Sequence, residues 1–210
     1  MTPRILVAGV GNIFLADDAF GPEVIRALEH RPLPPGARVH DYGIRGMDLA
    51  YALLAGYRTV VLVDAAPRGH RPGTLTLIEA EPPDGTVAPE AHGMDPAKVL
   101  ALATHLGDEP LPRVLVLACE PETLPNGDAD LFPDLSAPVR EAVGRAVDAL
   151  HALVPALLAD PAGPVPTLLA DPAGPVPAPL ADSAGSVPAL GRPMESGAPC
   201  PAALPGSAPG

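Results

Sequence analysis

The sequence predicts an α/β domain of three layers, with helices on both faces of a mostly parallel, twisted sheet of about five strands, followed by a disordered Pro-rich C-terminal tail. Three observations lead there. Short apolar runs alternate with amphipathic stretches along the chain. Several runs, TVVLVD at 59–64 above all, lack the in–out alternation of a half-exposed strand and read as strands buried on both faces. After Val154 the pattern stops and proline and glycine dominate.

The elements follow in order. RILVAGV at 4–10 is a first buried strand that ends in a Gly-Val-Gly turn, and FGPEVIRALEH at 20–30 is a helix carrying Val24, Ile25 and Leu28 on one face. Pro22 fits its first turn, where a missing N–H breaks no helical hydrogen bond. ARVHDY at 37–42 is a second strand, and 46–55 a second helix beyond the GIRG loop. TVVLVD at 59–64 is the third strand, and TLTLIEA at 74–80 alternates, which suits an edge. A helix over 95–107 takes Asp95 as N-cap and Gly107 as terminator. RVLVLAC at 113–119 is the last buried strand, and a long amphipathic helix over 136–154 opens with Ser136 as its cap.

The folded domain is therefore expected to span 1–155 and the tail 156–210. Nearly half of the 31 prolines lie in the tail, and three eleven-residue units stand in tandem from Leu158, Leu169 and Leu180 (LADPAGPVPTL, LADPAGPVPAP, LADSAGSVPAL). Proline at fixed positions cannot continue a helix, and the units hold too few large apolar groups to offset chain entropy. Polyproline II character is the expectation.

Composition excludes several functions. A net charge of −12 and a single lysine, Lys98, leave no basic surface for a phosphate backbone. Cys119 and Cys200 are the only cysteines, far apart, which implies no disulfide framework and suits a reducing compartment. MTPRILVAGVGN resembles neither a secretory signal nor a membrane span, so a cytoplasmic location and a monomer are expected.

Asp18, Asp64 and His92 are the candidate metal ligands, each just after a strand or in the loop that follows one. The carboxyl ends of parallel strands converge on one edge, where distant residues can meet around an ion. Asp17 and Asp18 precede a helix, so cation binding and simple favourable placement at a helix N-terminus both remain open for the pair. Asp64 directly follows an apolar run, and His92 in EAHGMDP adds an imidazole to two carboxylates, a set that nickel, zinc, iron or manganese accepts. Gly9-Val10-Gly11 fails the dinucleotide rule because Phe14 stands where a third glycine is needed. Cys119 follows a buried strand without a Cys–His signature, and there is no GxSxG or HExxH motif.

Together, GVGNIFLADDAFGPEVIRAL, DYGIRGMDLAYAL, VVLVDAAPRGHRPGTLTLIE, EAHGMDPAKVLALATHLG and ACEPETL, in this order, resemble the hydrogenase maturation proteases over about residues 4–154. That resemblance implies an endopeptidase that removes the C-terminal extension of the large subunit of nickel–iron hydrogenases. It implies that Asp18, Asp64 and His92 contact nickel already loaded in the immature subunit, the enzyme having no metal cofactor of its own. Asp41, with Gly43 and Gly46, matches the family's second loop motif, and either Asp18 or Asp41 is the carboxylate that would activate water. The alternative is a hydrolase of a small molecule that holds its own metal on the same three side chains.

Overall fold

A computed structural model describes residues 4–80, 96–124 and 134–164. His92, the expected cap Asp95, and the second and third tail units lie outside these residues. Five strands, β1 (Ile5–Val10), β2 (Ala37–Gly43), β3 (Thr59–Ala65), β4 (Leu75–Glu79) and β5 (Arg113–Cys119), form one sheet in the order β2-β1-β3-β5-β4. All neighbours are parallel except β4, which runs antiparallel on the outer side of β5. The helices are α1 (Phe20–His30), α2 (Gly46–Leu53), α3 (Pro96–Leu106) and α4 (Ala137–Ala159), with a 3-10 turn at Ala16–Ala19 before α1. The α/β expectation and the edge position of β4 are both met.

The side-chain period of two divides each central strand between two cores. Ile5, Val7, Val61, Val63, Leu115 and Leu117 point to the layer of α1 and α4. Leu6, Ala8, Val60, Leu62, Val114 and Val116 point to the layer of α2 and α3. A strand between two helical layers has no wet face, which is why β1 and β3 are apolar without alternation. Full burial of each such Val, Leu or Ile side chain contributes about 1.5–3 kcal/mol, so these strands are the stable centre of the fold.

On α1, Phe20, Val24, Ile25 and Leu28 form the buried stripe. Its first turn lies against the sheet so closely that a Cβ on Gly21 would stand 2.2 Å from the Val10 carbonyl oxygen and 2.3 Å from that of Val63. Only glycine allows this approach, which seats the helix between the ends of β1 and β3. Gly21→Ala should therefore cost about 3 kcal/mol, at the upper end of overpacking penalties because backbone rather than a flexible side chain must move. A urea midpoint unchanged by that substitution would contradict this packing.

The last helix departs from expectation. Instead of stopping at Val154, α4 passes through Pro155 and ends at Ala159, so the limit set at residue 155 is too early. Pro155 is exposed, and the helical hydrogen bond it lacks is outweighed by the packing of Leu157, which is buried beyond it. Past the helix, the Arg113 guanidinium donates to the carbonyls of Pro161 (2.9 Å) and Gly163 (2.8 Å), while Arg4 donates to that of Leu158. The first eleven-residue unit thus begins inside the domain. Although α4 has the length and hydropathy of a membrane span, its apolar stripe of Val139, Ala142, Ala146, Leu150, Leu153 and Leu157 is packed in the core.

Candidate active site

The strand order places β1 between β2 and β3, so the connections leave β1 in one direction and reach β3 in the other. In an open α/β sheet the crevice at that reversal, at the carboxyl ends of the strands, is the usual ligand site. Asp41, Asp18 and Asp64 lie at this edge, after or at the ends of β2, β1 and β3 respectively.

The β1–α1 loop is shaped by Gly11, whose φ of 126° is open to glycine and whose Cβ would stand 1.8 Å from the Asp18 carbonyl oxygen. The chain folds back there, and the Asn12 N–H donates to Asp18 Oδ2 at 2.6 Å. Asn12 Oδ1 in turn accepts from the Phe14 N–H at 3.0 Å. Ala16, at φ 47°, is the one described non-glycine residue in left-handed backbone, a strained conformation immediately before the acidic pair. Burial raises the Asp18 carboxyl above its ordinary range, and the Asn12 hydrogen bond offsets part of that rise.

Adjacent Asp17 has a different role. It is fully buried, and its oxygens accept from the N–H groups of Glu122 and Thr123 (2.8 Å each) and from the N–H (2.7 Å) and hydroxyl (2.9 Å) of Ser136. Of the two carboxylates left open by the sequence, Asp17 is the structural one. It ties the β1–α1 loop to the β5–α4 connection, whereas Asp18 is half-buried and its carboxylate accepts from the Asn12 N–H of its own loop. Ser136 keeps the N-cap position of α4 but makes no side-chain cap, because its hydroxyl is turned to Asp17.

Asp64, the penultimate residue of β3, lies beside Ala118 of β5 and is 6% exposed. Since Gly21 presses on the Val63 carbonyl, Asp64 begins where α1 meets the sheet, and the 3-10 turn carrying Asp18 packs against the same strand. Asp41 accepts from the Gly43 N–H through Oδ1 at 2.8 Å, a side-chain turn that closes β2. The ladder slips between Gly9–Asp41 and Val10–Gly43, leaving Tyr42 as an extra residue, and the Gly11 N–H then reaches the Gly43 carbonyl at 3.1 Å. That bond joins the Asp18 loop to the Asp41 loop. His92 lies outside the described residues, among which no three of His, Cys, Asp and Glu gather as a metal-holding group.

Glu120 was not anticipated. It is 7% exposed, and its carboxylate accepts from the N–H groups of Arg68 (2.7 Å) and Gly69 (3.1 Å), fixing the loop that follows Asp64. The signal that marks Asp64, an acidic side chain directly after a buried apolar run, also marks Glu120 after RVLVLAC. Cys119 beside it is fully buried, and burial pushes its thiol up to about 12, so almost no thiolate exists at neutral pH. It is a structural thiol, as its sequence setting suggests.

Fold and site together define a doubly wound α/β domain whose switch-point crevice carries carboxylates in place of a phosphate-cradling glycine loop. Residues 22–152 match the HycI family, hydrogenase maturation protease. The chain belongs to the hydrogenase maturation protease family. It is 33% identical over 152 residues to hydrogenase 2 maturation protease of Escherichia coli K12, covering 70% of this chain and 91% of that one. It is 31% identical over 151 residues to hydrogenase expression/formation protein HoxM of Cupriavidus necator, covering 70% and 74%. Among solved structures it is similar to the hydrogenase maturating endopeptidase HybD from E. coli, with a TM-score of 0.58, 30% identity and coverage of 74% and 93%.

Proposed function

We propose that this chain is an aspartyl-type endopeptidase that cleaves the C-terminal extension from the nickel-loaded large subunit of a nickel–iron hydrogenase. The observation that supports the reading is that Asp18, in the turn after β1, and Asp64, near the end of β3, lie at the same switch-point edge in a chain of this family. Nickel belongs to the substrate here. Asp18, Asp64 and His92 would engage it, and oxygen and imidazole donors bind such an ion weakly enough to release it afterwards.

For hydrolysis, a carboxylate must take a proton from the attacking water. Asp18 suits that step because burial has raised its basicity while the Asn12 N–H fixes one of its oxygens. Asp41, held by the Gly43 N–H on the adjoining loop, would orient the substrate backbone. The buried, protonated thiol of Cys119 is unsuited to act as nucleophile.

The test compares nickel-loaded and nickel-free precursor as substrates. Wild-type protein is expected to cut the loaded form alone, and Asp64→Ala and His92→Ala to lose that cleavage while keeping their fold. Equal cutting of both forms, or stoichiometric metal retained by the purified enzyme, would refute the proposed nickel recognition.

A further inference from the structure

Six large apolar side chains are notably exposed among the described residues: Ile13 (48%), Phe14 (53%), Ile44 (65%), Met47 (36%), Tyr51 and Leu106. Scattered apolar exposure is ordinary on any protein surface, but the first five of these are not scattered, while Leu106 stands apart at the end of α3. Ile13 and Phe14 stand on the loop that carries Asp18, while Ile44 and Met47 follow Asp41 on the neighbouring loop and the first turn of α2. The Gly11–Gly43 hydrogen bond joins the two loops directly. Tyr51 lies one helical turn beyond Met47, extending the same face.

From this arrangement we infer that Ile13, Phe14, Ile44 and Met47 dock an apolar, non-acidic segment of the precursor polypeptide next to the bond that is cut. The inference rests on the protease reading above and adds where, and by what chemistry, the substrate chain is held. Phe14 and Ile13 stand four and five residues before Asp18 on the same folded-back loop, so the rim is continuous with the catalytic edge. Charge narrows the occupant further: Asp18, Asp41 and Asp48 outnumber the one cation of these segments, Arg45, which already lies 4.0 Å from Asp48, so the rim is net acidic and disfavours an acidic segment. The backbone is also prepared. The Phe14 N–H is held by Asn12, the Gly46 N–H bonds the Ile44 carbonyl at 3.1 Å, and the Arg45 N–H bonds that of Tyr42 at 2.9 Å. Side chains offered from a fixed backbone lose less freedom on binding than those on a loose loop.

The experiment measures steady-state cleavage of nickel-loaded large-subunit precursor by the full chain and by its Phe14→Ser and Ile44→Ser variants, with sedimentation of each. Because both residues are exposed, the variants should melt like wild type. KM is expected to rise about tenfold for each variant, with kcat within about twofold, the pattern of lost binding that is shared by ground and transition states. Ile44→Leu should restore the wild-type KM. Unchanged KM in both serine variants, alongside lost cleavage by Asp18→Ala, would overturn the docking surface while leaving the protease reading intact. If the wild-type chain dimerises and the serine variants become monomers with unchanged KM, the rim is a self-association face and the proposal falls. Failure of the wild-type chain to cut the precursor at all would remove both.

Discussion

Asp17→Ala should cost the domain about 3 kcal/mol, a large part of the total stability of an ordinary fold, and is expected to lower the urea midpoint accordingly. Removing this carboxylate strands four donors: the N–H groups of Glu122, Thr123 and Ser136 and the Ser136 hydroxyl. Those donors come from segments more than a hundred residues away in the chain, so the damage is to a tertiary junction rather than to one helix end. Asp17→Asn should recover only part of the loss, because one oxygen becomes an amide nitrogen facing donors. A change below about 1 kcal/mol for the alanine variant would show that water replaces the carboxylate without penalty, contrary to this account.

Asp18→Asn, one residue along, should do the reverse, leaving the fold intact and lowering kcat/KM by about a thousandfold, the usual contribution of a general base. The asparagine oxygen can still accept from the Asn12 N–H, so the loop keeps its shape. The pH dependence follows from burial, which disfavours the charged carboxyl and lifts its titration above that of an ordinary aspartate. Activity that needs the ionised form should therefore fall as pH drops through a value higher than that of an ordinary aspartate. Stability moves oppositely: the ionised form is the disfavoured one in the folded state, so the cost due to Asp18 is present at neutral pH and disappears as pH falls through the raised value. The substitution should remove both effects and raise the neutral-pH melting temperature slightly. An acid limb of kcat/KM that persists unchanged in Asp18→Asn would assign it to another group.

Opposite fates for two adjacent aspartates mark where sequence reasoning reaches its limit. Strands β1, β3 and β5 are legible because each is an apolar run too short for a helix and too uniform for a wet face, and the helices because their apolar residues recur at helical spacing. Placing Asp18, Asp41 and Asp64 at one sheet edge needs only the rule that parallel strands share a carboxyl end. Which of Asp17 and Asp18 is buried is not local information, since it is decided by Glu122, Thr123 and Ser136. The same long-range demand takes the Ser136 hydroxyl away from its helix. The end of α4 is misjudged for a related reason: Pro155 is a strong local stop signal, and the contacts of Leu157 and Leu158 that outweigh it are visible only in the folded chain. Glu120 escapes notice although it follows the same pattern as Asp64, because its backbone partners leave no signature in residue type.

Arg113 grips the chain beyond α4 through hydrogen bonds to the carbonyls of Pro161 and Gly163, with the Asp160 charge nearby, while its fork is completed by Glu79 on β4. A grip on carbonyl oxygens is blind to side-chain identity. Gly163 itself is less free, since a Cβ there would stand 2.7 Å from Asp160 Oδ2, but eleven-residue units gained or lost beyond it leave the bonds of the guanidinium as they are. The grip on the domain thereby sets no requirement on the length of the tail, and duplication of its unit would leave these bonds unaltered.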